Sequence, residues 1–254
     1  MLFQFLQYKL KAKGANAIHS PFLFKFYNEV IRFKGDATTE KIHQAVKDLK
    51  KNRTKVEALD FGAGSRKKNK PDTIASIAST SGTNKRWGDF LYALAKRKTG
   101  QTILELGTNL GIGTACLAAG SEKGQIISIE GSSDLTEFAK GFTEEMGYRD
   151  IKFVCGKIQD VLQGVLSEAG SIDLVFMDAH HSYEPTLAFF DQLCPFMNNN
   201  SIIVIDDIYW SEEMTNAWKA IINSEKVTLS IDLFYKGLVF FDQNLSKQHF
   251  ILKN

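Results

Sequence analysis

The chain has 254 residues, a formal net charge of +2 and 44% hydrophobic residues. That is enough for one large domain with an extension, or at most two domains, around a sizeable core. No apolar run reaches the ~18 residues of a membrane span, and the near-neutral balance of the chain as a whole says nothing of its partners.

The start, MLFQFLQYKLKAKG, has too short an apolar part, and no small-residue cleavage site, for a secretory leader. Helical patterns follow at about 2–12, 21–33, 39–51 and 85–98. Ser20 and Pro21 make a helix start, a cap followed by a proline at the first position. Phe22, Phe26 and Val30 then recur at helical spacing, as a core or dimer seam does. Asp60 to Ser65, DFGAGS, has the look of a strand-end glycine loop. The run Arg66 to Lys70 behind it lacks helical apolar periodicity, so the segment reads as a loop. This run and the one at 47–55 are the local basic clusters, ordinarily solvated faces.

From Gln101 onward, strands at 102–106, 125–130, 151–155, 172–178 and 201–206 alternate with helices near 112–120, 133–146, 158–168, 183–194 and 211–224. Such alternation gives an α/β fold with a parallel sheet covered on both faces. The end changes character. Val227 to Tyr235 and Leu238 to Asp242 read as two strands joined by a tight turn at Lys236-Gly237, an antiparallel hairpin appended to the parallel sheet. Cys116, Cys155 and Cys194 sit in apolar contexts without metal-ligand spacing. The expectation is buried thiols in a reducing cytoplasm.

The most informative stretch is Ile103 to Gly120, ILELGTNLGIGTACLAAG. It reads as a buried strand, a glycine-rich turn and the start of a helix. Gly107, Gly111 and Gly113 let the backbone bend and approach a ligand closely. The next strand ends at Glu130, 23 residues after Gly107, close to the ~20 expected of an acid that accepts from ribose hydroxyls in a βαβ nucleotide site. An adenosine-containing cofactor follows from this pairing. The spacing G-x-x-x-G-x-G departs from the G-x-G-x-x-G of a pyrophosphate site. Glu105, at the strand end, would repel a pyrophosphate but suits the cationic amine of a methionine moiety. S-adenosylmethionine carries that amine and a ribose and has no phosphate.

The segment E-L-G-T-x-x-G-x-x-T, from Glu105, resembles the first motif of class I S-adenosylmethionine-dependent methyltransferases. The resemblance implies a Rossmann-like, seven-stranded sheet with one reversed strand at the C-terminal hairpin. The helical extension is then expected at 1–78 and the methyltransferase domain at 79–254. It implies cofactor contacts at Glu105, Gly107, Thr108, Asn109, Gly111, Gly113, Glu130 and Gly131. Gly156 to Leu162, GKIQDVL, resembles the family segment that packs under the adenine, with Lys157, Ile158 and Gln159 as candidates. An ordinary helix N-terminus remains the alternative there. Thr80 to Leu91 resembles the lid helix of small-molecule O-methyltransferases.

Two further strand ends carry acids: MDAHHSY, from Met177, and IDDIYW, from Ile205. The carboxyl ends of parallel strands face the ligand crevice, so Asp178, Asp206 and Asp207 are expected to converge. Three anions in a cleft are costly without a cation, and hard oxygen ligands suit Mg²⁺. The pattern D-x-x-H followed by D-D resembles the metal-dependent O-methyltransferases, closest to the branch acting on sugar or antibiotic hydroxyls, with the catechol and caffeoyl-CoA branch a near relative. It implies Asp178, Asp206 and Asp207 as magnesium ligands, Asp178 as a further cofactor contact, and His181 as the base that takes the acceptor's proton. His180 is expected in a supporting place. Trp210 walls the acceptor pocket or belongs to the core. The sequence thus points to an O-methyltransferase for a small hydroxylated acceptor, in the cytoplasm, with a homodimer through the aromatic N-terminal helices. Two other functions stay open: a methyltransferase for RNA using the basic N-terminal region, and a nucleotide-binding protein without turnover.

Overall fold

A computed structural model of the chain describes residues 2–57 and 72–254, the side chain of Leu2 excepted. The Asp60–Ser65 turn and the basic run after it lie outside the described residues. In chain order the elements are α1 (Leu2–Lys11), α2 (Pro21–Phe26), α3 (Ala37–Leu49), β1 (Lys55–Val56), β2 (Asp72–Thr73), α4 (Ile74–Thr80), α5 (Lys85–Ala95), β3 (Thr102–Leu106), α6 (Ile112–Gly120) and β4 (Gln125–Glu130). Then come α7 (Ser133–Glu145), β5 (Ile151–Cys155), α8 (Ile158–Ala169), β6 (Ile172–Met177), α9 (Tyr183–Leu193), β7 (Met197–Asp206), α10 (Glu212–Asn223), β8 (Leu229–Asp232), β9 (Lys236–Phe240) and β10 (Gln248–Ile251). The strands β3 to β10 make a mostly parallel sheet of eight, the α/β class expected. Two compact units divide the chain: Arg32–Val161, and Met1–Ile31 together with Leu162–Asn254. Among the described residues no helix is long and apolar enough to cross a membrane.

In the unit Arg32–Val161, β3, β4 and β5 run parallel in that order, with Leu104 opposite Ile127 and Ile129 opposite Val154. Ile103, Leu104, Leu106, Ile126, Ile127 and Ile129 are buried, as a sheet covered on both faces requires. Helix α5 starts where Asn84 Oδ1 accepts the Trp87 N–H at 3.2 Å, and all its residues from Trp87 to Ala95 are buried. Of the segment likened to a lid, Trp87 to Leu91 therefore lie in the core of this unit. The helix packs on α6, and a β-carbon at Gly120 would strike the Tyr92 carbonyl. Overpacking of this kind costs roughly 1–3 kcal/mol, so Gly120→Ala is expected to lower the midpoint of a thermal melt by several degrees. An unchanged midpoint would mean that the two helices have room to part.

In the other unit the strand order is β10-β8-β9-β7-β6. Strand β9 is antiparallel to both β7 and β8, while β10 is parallel to β8 and β7 to β6. The single reversed strand is the one expected. Strand β10 is an addition to it, a short and partly polar QHFI that carries little strand signal. The hairpin turn falls at Leu233–Tyr235, not at Lys236-Gly237. Asp232 sets it: Oδ1 accepts the Phe234 N–H at 2.7 Å and Oδ2 the Tyr209 hydroxyl, which holds Phe234 at φ 70. Lys236 and Gly237 are instead ladder residues, opposite Asp206 and Ile205. Gly237 serves packing, because a β-carbon there would lie 2.6 Å from the buried Trp218 ring.

Helix α2 begins as the sequence indicates, with Ser20 Oγ accepting the Leu23 N–H at 3.3 Å. Phe22 and Phe26 set their rings edge-on to Phe240, at 5.9 and 5.5 Å, and Phe26 and Val30 are buried. Phe26 and Val30 are thus core, while Phe22 stays 39% exposed. Of the three cysteines, Cys116 is buried, Cys194 half-buried and Cys155 exposed. The last corrects the expectation of three buried thiols, since β5 lies at the edge of its sheet and Cys155 is its final residue.

Candidate functional site

In the first unit the glycine loop turns through two residues that need a left-handed backbone. Gly107 has φ 96 and Gly111 φ 76, and a β-carbon on Gly111 would press on Ala139 at 2.9 Å. Between them Asn109 holds φ 52, strained for a residue with a side chain. Glu130 holds it there: Oε2 accepts the Asn109 N–H at 2.8 Å and Oε1 the Ser132 N–H at 3.0 Å. The acid is thus fixed by the backbone it fixes, and each oxygen keeps acceptor capacity for a hydroxyl. Gly131 follows it, half-buried. The Gly156 N–H donates to the Glu130 carbonyl at 2.8 Å, which sets Lys157, Ile158 and Gln159 beside that strand end. Ile158 is buried and the other two are exposed.

Glu105 is nearly inaccessible, 1% exposed. Its Oε2 accepts from the hydroxyls of Thr114 at 2.5 Å and Ser128 at 2.6 Å, and Thr108 Oγ1 meets Ser128 Oγ at 2.5 Å. This chain of hydroxyls ties β3, β4 and the first turns of α6 together beneath the loop. Gly113 lies in that helix, buried. The network was not legible from the motif, which offered Glu105 only as a ligand for an amine.

In the second unit the strand ends of β6 and β7 bring together Asp178, His181, Asp206 and Asp207. The backbone is strained here at His180 (φ 64), His181 (φ 28) and Asp207 (φ 51). Such conformations cost roughly 1–3 kcal/mol each and cluster where geometry serves function. His181 Nε2 stands 3.3 Å from Asp178 Oδ1. Its other nitrogen, Nδ1, is buried and has no hydrogen-bond partner among the described residues. The His180 ring turns instead edge-on to Phe189 at 5.4 Å. Trp210 is 58% exposed, so it is not core.

Charge is arranged unevenly over these groups. Burial acts to raise the Asp178 carboxyl, but the hydrogen bond from His181 and the charge of Lys236 hold it below the ordinary carboxylate range. Burial pushes Asp206 up to about 6, with Lys236 opposing and Asp178 and Asp207 adding to it. Asp207 is also raised, by burial first. For His181 burial acts downward, yet the bond to Asp178 and the charges of Asp178, Asp207 and Asp206 leave the imidazole above its usual value.

The magnesium set Asp178, Asp206 and Asp207 does not fit what surrounds it. Lys236 Nζ stands 2.6 Å from Asp206 Oδ2, with the two side chains 1% and 4% exposed. Asp206 Oδ1 accepts the Asp207 N–H at 2.8 Å. Each Asp206 oxygen thus has a donor within the chain, and a metal ion at Oδ2 would stand against the Lys236 ammonium. Among the described residues no group of three His, Cys, Asp or Glu side chains is disposed to hold a metal ion. The cation beside Asp206 is here an ammonium. Sequence reading missed it by placing Lys236 in a turn. The available signal was a lone lysine in LFYKGLVFF, where an unpaired charge would be costly to bury.

Residues 104–208 match the family model of a methyltransferase domain. Over 123 residues, the chain is 29% identical to catechol O-methyltransferase of Mycobacterium tuberculosis, a match covering 48% of this chain and 54% of that one. The match therefore spans about half the length of the curated relative. Among solved structures, the O-methyltransferase of Bacillus cereus in complex with SAH aligns with TM-score 0.57 and 20% identity, over 81% of this chain and 90% of that one. A SAH-bound methyltransferase of Podospora anserina aligns with TM-score 0.60 and 13% identity, over 88% and 97%. Residues 104–208 are thus similar to a methyltransferase domain, and the fold is shared with methyltransferases. The chain's likenesses in sequence and in fold include O-methyltransferases.

Proposed function

We propose that the chain is an S-adenosylmethionine-dependent O-methyltransferase for a small hydroxylated acceptor, with His181 as the general base. The observation that carries this reading is the His181 ring, with Nε2 on the Asp178 carboxylate and Nδ1 buried without a partner among the described residues. An orphaned buried nitrogen calls for a ligand group. An Nε2–H tautomer satisfies Asp178 and turns the Nδ1 lone pair toward an incoming hydroxyl, the orienting acid and base arrangement of general base catalysis.

S-adenosylmethionine would supply a methyl group already activated on a sulfonium. Glu130 would hold the ribose through its two oxygens, Gly107 and Gly111 would let the backbone approach the nucleoside, and Lys157 to Gln159 would flank the adenine. Glu105, Thr108 and Gly113 then support the cradle from beneath rather than touch the cofactor. An alcohol or phenol is a poor nucleophile while protonated. Attack of the oxygen on the methyl carbon would break the carbon–sulfur bond and release S-adenosylhomocysteine, while His181 takes the hydroxyl proton and Asp178 steadies the imidazolium that forms. The names of the relatives, catechol and other O-methyltransferases, agree with a hydroxyl acceptor.

The test is transfer of labelled methyl from S-adenosylmethionine to a panel of catechols, other phenols, sugar alcohols and total RNA. Label on the oxygen of a small acceptor is expected. Label confined to RNA, or to a nitrogen or carbon atom, would overturn the proposal.

A further inference from the structure

We infer that Lys236 stands in this site as a built-in counter-cation, in the place where a divalent metal would otherwise serve, so that the chain works without one. The inference rests on the reading of the Asp178–His181 cluster as the acceptor site. Its own support is geometric. The β7–β9 ladder pairs Asp206 directly with Lys236, and such a register fixes which side chains face each other. The ammonium lies 2.6 Å from Asp206 Oδ2 and 5.0 Å from the centroid of the Phe176 ring, a second favourable partner for a buried cation. Neither partner of the ion pair reaches solvent to any extent, the lysine residue being 0% exposed.

Three further features hold the lysine in place. Asp232, through Phe234 and Tyr209, sets the turn that delivers it. Gly237, next in the strand, leaves room for Trp218 to close over the backbone. Phe240, further along, is covered by Phe22 and Phe26. A lysine buried this way is not a side chain that can swing aside for a metal ion. It is a positioning residue: it anchors Asp206 and lends its charge to Asp178, while His181 handles the proton.

Metal binding can be read without cofactor, acceptor or turnover, so its result stands even if the methyltransferase reading fails. The full chain, freed of metal with EDTA, is titrated with Mn²⁺ and followed by electron paramagnetic resonance. The wild type is expected to take up no stoichiometric manganese, and the Lys236→Arg variant none either. Lys236→Met leaves carboxylates without their cation and is expected to gain one manganese per chain, lost again when Asp206→Asn is added. One tightly bound manganese in the wild type, abolished by Asp206→Asn, would overturn the inference. So would a folded Lys236→Met chain that binds none. Should Lys236→Met fail to fold, the wild-type titration decides alone, uptake against the inference and no uptake for it.

Discussion

Replacing Glu130 with alanine is expected to weaken S-adenosylhomocysteine binding roughly 10- to 100-fold, the equivalent of losing about 1.5–3 kcal/mol in hydrogen bonds to a charged acceptor. Two effects add. The ribose loses its acceptor, and the loop loses the bond that holds Asn109 at φ 52. Glu130→Gln is the milder change, since its amide oxygen can still accept the Asn109 N–H, although its amide nitrogen then faces the Ser132 N–H and the charge is gone. Its affinity should fall between those of the wild type and Glu130→Ala. Calorimetric titration gives the affinities, and a thermal melt of each variant checks that the fold survives. Equal affinities across the three proteins would detach Glu130 from the cofactor.

The second large effect is at His181. His181→Ala should lower kcat by about 10²–10⁴, the usual worth of a positioned general base, while leaving cofactor affinity as in the wild type. The pH profile carries a sign. A base works unprotonated, so the rate rises with pH through the pKa of His181, which Asp178 and its neighbours hold above the ordinary histidine value. Asp178→Asn removes the nearest charge that stabilises the imidazolium. The rising limb of kcat/KM should then move to lower pH, on top of any fall in rate. A limb that stays put, or moves up, would separate the two residues.

The sequence disclosed the cradle better than it disclosed the acid cluster, and the reason is locality. Gly107, Gly111 and Glu130 announce themselves because a turn with positive φ and a strand end are local demands on the chain. The alternation from Gln101 to Asn223 likewise follows from short-range patterning. The fate of Lys236 depends on a pairing across the sheet. Lys-Gly next to an aromatic run has the look of a tight turn, and only the Asp232 side chain, bonded to Phe234 and Tyr209, moves that turn three residues earlier. The convergence of Asp178, Asp206 and His181 was legible, whereas the ion pair that occupies Asp206 was not. The hydroxyl network under Glu105 was hidden for the same reason: Thr114 and Ser128 reach it from an adjacent helix and an adjacent strand. Strand β10 is a short element that owes its form to pairing with β8, whereas helix α4 starts on a local capping box of Thr73 and Ser76 that the reading of helical patterns passed over.

The central claim is that the loop at Gly107–Gly111 and the acid at 130 were built for a sulfonium nucleoside. A crystal structure of the chain grown with S-adenosylhomocysteine tests it most directly. Both ribose hydroxyls should lie within hydrogen-bonding distance of the Glu130 carboxylate, with the adenine beside Ile158. A nucleoside bound elsewhere, with its sugar away from Glu130, would contradict the account.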